Sequence, residues 1–412
     1  MGMQLDDFAA AALGQLHAGG LLRQLRAIKG SQGPRLVVDG RAVVNFSSND
    51  YLGLANDPLL REVALRAIER YGVGAGASRL VCGNLAPYGE LEVRLAAFKG
   101  KQAAVVFGSG YAANVGTICA LVGKGDTIIL DKLDHASIVD GARQSGATIR
   151  VYPHGDLNKL EKLLKQNRIG HSARTLVITE TVFSMDGDIA PLREIVELKD
   201  RYGAWLMVDE AHATGLYGAR RRGVAEALSV EERVEVTVGT LSKALGCVGG
   251  FVCGSRLLVE LLVNRARSLI YSTALPPAMV AAAGATVEFV MSRAGEARCA
   301  KLWRRAGELS RGLGHQSVGS VPTARLPRMV GRAAYSAPAG SAIIPLVLGD
   351  EARAVEFSRR LLERGFFAPA IRFPTVARGA ARLRLSVTAT HTSGQIQSLL
   401  GALRAIATRA QR

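Results

Sequence analysis

The feature that most restricts how this chain can fold is an alternation. Short apolar runs closed by Gly, Asp or Ser recur at Ala103 to Phe107, Thr127 to Leu130, Ile149 to Tyr152, Thr175 to Thr179, Trp205 to Val208, Val236 to Val238 and Gly250 to Cys253. Helical stretches such as Ala112 to Val122 and Leu192 to Tyr202 lie between several of them. Such runs read as strands buried on both faces, and parallel neighbours need a crossover helix to join them. The pattern therefore predicts an α/β fold with a mainly parallel central sheet flanked by helices. No internal repeat, heptad run or low-complexity tract competes with that reading.

A chain of 412 residues exceeds one small core, so more than one packed unit is expected. Residues 1–55 read as an N-terminal arm, with a turn at Val38-Asp39-Gly40-Arg41 between two strand-like pieces. Residues 56–285 form the large α/β domain. Residues 286–412 form a smaller α+β domain with strands at Ile343 to Leu348 and Leu383 to Thr388, a helix at Ala352 to Arg364 and a closing helix. The piece from Ser317 to Ser341 is rich in Pro, Gly and Arg and lacks periodicity, so it reads as an exposed loop or insertion. The apolar stretch Tyr271 to Met291 contains Pro276, Pro277 and Glu288, and reads as interior helix instead of a membrane span.

The net charge of +17 raises the question of nucleic acid. Apart from Arg220, Arg221 and Arg222 the basic residues are scattered, without the aromatic interleaving of a single-strand platform, so a solvated basic surface is expected. The five cysteines form no CxxC pair and have no accompanying His pattern, which indicates neither a disulfide framework nor a metal site. The opening MGMQLDDF lacks the basic-then-apolar design of a secretory leader, and a cytoplasmic location is expected.

The strongest local signal is Val208-Asp209-Glu210-Ala211-His212 at the end of an apolar strand, followed later by Gly239-Thr240-Leu241-Ser242-Lys243-Ala244-Leu245-Gly246. In open parallel sheets ligands bind beyond the carboxyl ends of the strands, where both motifs fall. An amine to form an imine and an acid to keep a ring nitrogen protonated are the two groups that pyridoxal phosphate requires. A lone lysine after a strand is ordinarily a solvated residue. Lys243, however, lies among Ala244, Gly246, Gly249 and Gly250, small residues that would let a flat cofactor approach the backbone. Asp209 alone would also serve as a helix cap, and His212 as a turn histidine.

Phosphate binding has a candidate in Phe107-Gly108-Ser109-Gly110-Tyr111, a glycine turn entering a helix, where backbone N–H groups and the helix dipole favour a dianion. Thr240 and Ser242 add hydroxyls, and Tyr111 is placed to lie against the ring. His135, after the Thr127 to Asp131 strand, is a candidate to stack on the ring face opposite Lys243. Ser184, in Glu180-Thr181-Val182-Phe183-Ser184-Met185-Asp186-Gly187-Asp188, is a candidate donor to the ring oxygen; the turn alone explains Asp186-Gly187 equally well.

With those residues assembled, the chain resembles the α-oxoamine synthase family of fold type I pyridoxal-phosphate-dependent transferases over nearly its whole length. The resemblance includes Asn45-Phe46-Ser47-Ser48-Asn49-Asp50-Tyr51-Leu52-Gly53-Leu54, Tyr71-Gly72-Val73-Gly74-Ala75-Gly76-Ala77-Ser78-Arg79, the two motifs above, and Ala370-Ile371-Arg372-Phe373-Pro374-Thr375-Val376. It implies that Lys243 carries the cofactor as an imine, that Asp209 pairs with the pyridine nitrogen and that His135 stacks on the ring. Gly110, Tyr111, Ser184, His212 and Thr240 are the further cofactor contacts it implies. For substrate it implies Arg23, Asn49, His135, Arg372 and Thr375, with Arg372 holding the amino-acid carboxylate through a bidentate pair. The activity implied is decarboxylative condensation of L-alanine with pimeloyl-CoA or pimeloyl-acyl carrier protein, a step of biotin synthesis, by a homodimer that uses neither metal, membrane nor nucleic acid. Phe373 stands where the biotin-pathway pattern has the first of two prolines, which bears on the shape of the substrate loop. A relative using glycine is the nearest alternative reading. A catalytically idle basic protein that binds nucleic acid is the alternative of a different class.

Overall fold

In the computed structural model, which describes residues 4–169, 174–314 and 340–409, the seven apolar runs become the strands of one sheet. An N-terminal sheet comes first in the chain, with β1 (Ile28–Lys29), β2 (Arg35–Val38) and β3 (Arg41–Asn45). The central sheet holds β4 (Ala103–Phe107), β5 (Thr127–Asp131), β6 (Thr148–Tyr152), β7 (Thr175–Glu180), β8 (Trp205–Asp209), β9 (Val236–Thr240) and β10 (Gly250–Gly254). The C-terminal part adds β11 (Ile343–Gly349), β12 (Phe366–Phe367), β13 (Ala370–Ile371) and β14 (Ala381–Ser386).

The order across the central sheet is β4-β10-β9-β8-β7-β5-β6. All of its pairings among β5 to β9 are parallel, whereas β10 runs antiparallel to both β4 and β9. That exception follows from the chain: the link 241–249 between β9 and β10 is too short for a crossover helix, so the strand must return antiparallel. This short return is the segment that carries Lys243.

Side chains alternate between the two faces of the sheet with the strand period. Val105, Ile128, Ile178, Met207 and Val252 pack on one face beneath the helix Gly110–Leu121. Val106, Ile129, Val177, Val208 and Phe251 pack on the other with Leu91, Leu95 and Phe98 of the helix Ala86–Lys99. Burial on both faces explains why the strands read as continuous apolar runs. The stretch 277–291 is helix with Val280, Ala283, Val287 and Val290 buried, and no described helix is long and apolar enough to cross a membrane.

The turn after β2 places Asp39 at φ 48° and Gly40 at φ 83°, the two left-handed residues that a tight hairpin needs. The hairpin is extended by β12, which runs parallel to β3, so a strand from the C-terminal part completes the N-terminal sheet. In the C-terminal sheet β14 lies between β11 and β13. Of the loop read at 317–341, all but Gly340 and Ser341 lies outside the described residues.

The one run of three consecutive arginines, Arg220 to Arg222, lies only partly at the surface. Arg221 is buried, and its Nε donates to the Val290 carbonyl at 2.8 Å. Arg222 turns its carbonyl to the Lys99 ammonium. Lys99 also reaches Glu210 Oε2 at 2.5 Å and Thr214 Oγ1 at 3.2 Å, and both partners of this ion pair are about 2% exposed. Glu210 follows Asp209 and faces the opposite side of the sheet, so the pair anchors the segment that carries Asp209. A second charged clamp lies at the ends of β5 and β7. There His154 places Nδ1 3.0 Å from Asp131 and Nε2 2.7 Å from Asp188. Burial opposes its charge, but the two carboxylates prevail and raise its pKa to about 10.

Two consequences are measurable. Lys99→Met strands a buried carboxylate and should cost about 3–5 kcal/mol in a denaturant titration, most of it recovered when Glu210→Leu is added. A double variant as unstable as the single one would contradict this. His154 is raised in the folded state, so its stabilising effect is complete below its ordinary value of 6.5 and lost as pH rises through about 10. The thermal midpoint of His154→Asn should therefore trail the parent near pH 6 and meet it near pH 10 (both approximate).

Candidate active site at the carboxyl edge of the central sheet

β7 and β8 end side by side, with Glu180 opposite Asp209 in register. The strand alternation turns both carboxyls to the face of Ile178 and Met207, beneath the helix Gly110–Leu121. Asp209 is 7% exposed and takes two donors: Asn114 Nδ2 to Oδ2 at 2.7 Å and Ala211 N–H to Oδ1 at 2.8 Å. The same Asn114 Nδ2 donates to Ser137 Oγ at 2.9 Å, and that hydroxyl lies 2.7 Å from His135 Nδ1. The Ser137 N–H also donates to this nitrogen at 3.2 Å, so Nδ1 is an acceptor and the neutral imidazole carries its hydrogen on Nε2. Burial lowers the His135 pKa, aided by Lys243 and opposed by Asp209. A chain of hydrogen bonds thus joins two predicted residues, His135 and Asp209, through Ser137 and Asn114, which sequence reasoning did not single out.

Lys243 is half-buried in the 241–249 return, which is closed by Leu241 N–H to Gly249 O at 2.9 Å and Cys247 N–H to Leu241 O at 2.8 Å. Burial lowers its pKa, Asp209 and Glu180 pull it up, and Arg384 lowers it further. It faces both carboxyls at the strand ends. A side chain at Gly246 would meet the backbone of Leu54 and Ala55 at 2.7–2.8 Å, and one at Gly250 would meet Ser109 O at 2.4 Å. Those glycines let neighbouring segments of the protein approach the lysine loop.

The expected phosphate cradle is assembled from separate elements. Ser109 caps the helix Gly110–Leu121 by accepting from Ala112 N–H, and the N–H groups of Gly110 and Tyr111 stand at its start without intrahelical acceptors. A Cβ on Gly110 would lie 3.6 Å from Thr240, which brings the glycine turn against the lysine loop. Thr240 Oγ1 lies 2.7 Å from Ser242 Oγ and donates to Gly249 O at 2.9 Å. Tyr111 is 47% exposed and its hydroxyl donates to Asp140 Oδ2 at 2.9 Å, on the helix that His135 caps.

His212 is buried, and Tyr51 Oη lies 2.7 Å from its Nδ1. Burial, Lys243 and Arg384 together hold its pKa well below the usual histidine range, so it is neutral. Tyr51 Oη accepts from Arg384 Nη2 at 3.1 Å and lies 3.3 Å from Asn49 Oδ1. Arg384 Nε donates to the carbonyl of buried Ser184. Arg384 had a signal in the sequence, because Arg382 and Arg384 interrupt the apolar positions of a strand that is buried throughout.

The substrate candidates Arg23, Arg372 and Thr375 meet apart from this cluster. Arg23 Nη2 donates to Thr375 Oγ1 at 3.3 Å, and Arg372 donates to the carbonyls of Gly20 and, at 3.3 Å, Leu22. The three border a groove of about 730 Å³ between residues 22–26 and the C-terminal part. β13 connects the two regions, since Ile371 pairs with Arg382, two positions from Arg384.

Pyridoxal phosphate fits this edge by the chemistry of its donors: an amine with a lowered pKa, a carboxyl oriented by two N–H donors, and a helix start beside two hydroxyls. Buried Glu180 Oε1 and Asn114 Oδ1 also lack protein partners there.

Residues 41–403 match the family model described as aminotransferase class I and II. The 8-amino-7-oxononanoate synthase of Anaeromyxobacter dehalogenans (strain 2CP-1) is 49% identical over 97% of this chain and 95% of its own length. That of Geobacter sulfurreducens is 47% identical over 96% of each. Among solved structures, serine palmitoyltransferase from S. paucimobilis with a bound pyridoxal phosphate–myriocin aldimine superimposes with a TM-score of 0.88 at 33% identity, over 99% of both chains. The 8-amino-7-oxononanoate synthase from Francisella tularensis gives 0.73 at 26% identity, over 90% of this chain and 99% of that one. On sequence and fold alike, the chain belongs to the aminotransferase class I and II family, in the α-oxoamine synthase branch that holds these 8-amino-7-oxononanoate synthases.

Proposed function

We propose that this chain uses pyridoxal phosphate to condense L-alanine with a pimeloyl thioester, releasing carbon dioxide and giving 8-amino-7-oxononanoate for biotin synthesis. The observation that carries the chemistry is the half-buried Lys243 amine facing Asp209 at the ends of neighbouring strands. The substrates are carried by the relatives at 43–49% identity, all of them 8-amino-7-oxononanoate synthases.

When bound, the cofactor supplies an aldehyde for the amine and a protonated ring that accepts the electrons released at the α-carbon. Asp209, oriented by Asn114 Nδ2–H and Ala211 N–H, is suited to pair with the protonated ring nitrogen. Lys243, with its lowered pKa, is the base for the α-proton of L-alanine and returns a proton to the product. Arg372 has a planar fork suited to the carboxylate, which would replace the neutral carbonyls of Gly20 and Leu22 with a charged partner. Neutral His135 keeps Nε2–H available as a donor while Ser137 fixes its ring. Overall, one carbon–carbon bond forms at the thioester carbonyl as its carbon–sulfur bond breaks, and the amino-acid carboxylate leaves as carbon dioxide.

Serine deserves a second reading, because serine palmitoyltransferase shares the fold at the higher TM-score. The higher identity to the 8-amino-7-oxononanoate synthases favours L-alanine. A homodimer is part of the proposal; the helix Leu5–Ala18, which buries none of its residues and exposes Leu5, Phe8 and Leu13, is consistent with a covering partner.

Lys243→Ala should abolish turnover of L-alanine and pimeloyl thioester with the fold retained by circular dichroism; retained turnover would overturn the mechanism. Arg372→Ala should raise the KM for the amino acid by roughly tenfold or more and leave the thioester KM nearly unchanged. An effect confined to the thioester would move the carboxylate site elsewhere. Colourless protein retained on DNA at moderate salt would instead favour a basic binding protein.

A further inference from the structure

The carboxyl for the ring nitrogen and the histidine for the ring face come from strand ends that are not neighbours. Asp209 ends β8, His135 follows β5, and β7 lies between them in the sheet. Two helices packed on one face of the sheet close this gap. Gly141 stands one turn after Ser137. A Cβ there would lie 3.1 Å from Val115 Cα and 3.0 Å from Ile118 Cδ1, so the helices Gly110–Leu121 and Ala136–Ser145 approach closely at this point. The approach brings Asn114, which is 2% exposed, against the fully buried Ser137.

Asn114 has two amide hydrogens, and its surroundings use both. Its side-chain nitrogen lies 2.7 Å from Asp209 Oδ2 and 2.9 Å from Ser137 Oγ. To pair with a protonated ring nitrogen Asp209 must be a carboxylate, which only accepts, so the amide turns its nitrogen toward it and not its oxygen. Ala211 N–H takes the other oxygen, Oδ1, at 2.8 Å, which leaves Asn114 to orient Oδ2. The amide nitrogen only donates, so Ser137 Oγ is the acceptor of its second hydrogen. The hydroxyl hydrogen of Ser137 then has His135 Nδ1 as its acceptor at 2.7 Å, and the Ser137 N–H reaches the same nitrogen at 3.2 Å. A hydrogen on Nδ1 would face two donors. The bonds therefore run in one direction, outward from the Asn114 amide.

We propose that Asn114 is a positioning residue that serves both predicted groups at once: one amide hydrogen orients the Asp209 carboxylate, and the other, through the Ser137 hydroxyl, locks His135 as the Nε2–H tautomer. The orienting bond rests on the cofactor reading given above, whereas the lock does not. A single buried amide thus sets the group at the ring edge and the group at the ring face together, and His135 meets the substrate side as a donor.

Each bond has its own test. In NMR of the histidine ring nitrogens of the purified holoenzyme, with His135 assigned by its disappearance in His135→Gln, the ring hydrogen should sit on Nε2 alone. Ser137→Ala should move the Nδ1 signal toward that of a nitrogen with fewer donors. Hydrogen on Nδ1 in the parent, or an Nδ1 signal unmoved in Ser137→Ala, would overturn the lock. For the orienting bond, Asn114→Asp keeps the shape of the side chain but sets a second carboxyl against Asp209. It can donate only when protonated, so its kcat/KM relative to the parent should rise as pH falls, by up to about tenfold per pH unit. Lys243, Glu180, His135, His212 and Asp140 share this corner in parent and variant alike, and the ratio of the two profiles removes their part. Asn114→Ala, without a donor at any pH, should lose about tenfold or more of kcat/KM by a ratio that does not change with pH. A flat ratio for Asn114→Asp would overturn the orienting role, whether or not Asn114→Ala folds. A parent without a visible absorbance band would refute the cofactor reading and the orienting bond with it, and the NMR comparison would still judge the lock.

Discussion

The Lys243 amine, brought within the electrostatic reach of the Asp209 carboxyl at the sheet's carboxyl edge, is the arrangement on which the site of this molecule depends. Lys243 can face Asp209 only because the chain returns from β9 to β10 without a helix, and that return is the sole antiparallel turn among the central pairings β5 to β10. The glycines of the return let it settle against Leu54, Ala55 and Ser109. Burial then lowers the amine's pKa while the Asp209 and Glu180 carboxyls act against that shift.

The strand period sorts the acids around this pair. Asp209 turns toward Asn114, and the next residue, Glu210, turns to the other face and takes the buried ammonium of Lys99. Asp131 and Asp188 are claimed by His154. Most of the buried acids at this edge thus have a partner of their own, while Glu180 Oε1 and Asp188 Oδ1 are left without one. Buried ionic groups of this kind contribute less to net stability than to fixing which arrangement forms, since each is costly if unpaired.

Much of this was legible in the sequence, for physical reasons. Central strands buried on both faces read as apolar runs, unlike the largely exposed edge strand β6 with its Arg150, and Asp39-Gly40 signalled the hairpin because few other pairs accept two left-handed residues. Lys243, Asp209, His135, Thr240 and Gly110 were found because their chemistry depends on local motifs at strand ends. The partners that set their charge states were not. Asn114, Tyr51 and Arg384 reach the site from other segments; Arg384 shows in the sequence as a charge within an apolar strand, but nothing local tells which site it serves until the fold brings these residues together. The close protein contacts at Gly246 and Gly250 were hidden for the same reason, since the atoms that exclude a side chain there come from other parts of the chain.

The central claim is that one lysine binds the cofactor covalently. Borohydride reduction of the purified protein, followed by proteolysis and mass mapping, should place a single phosphopyridoxyl group on the peptide containing Lys243. A label on another lysine, or no label on protein that retains full turnover, would contradict the account.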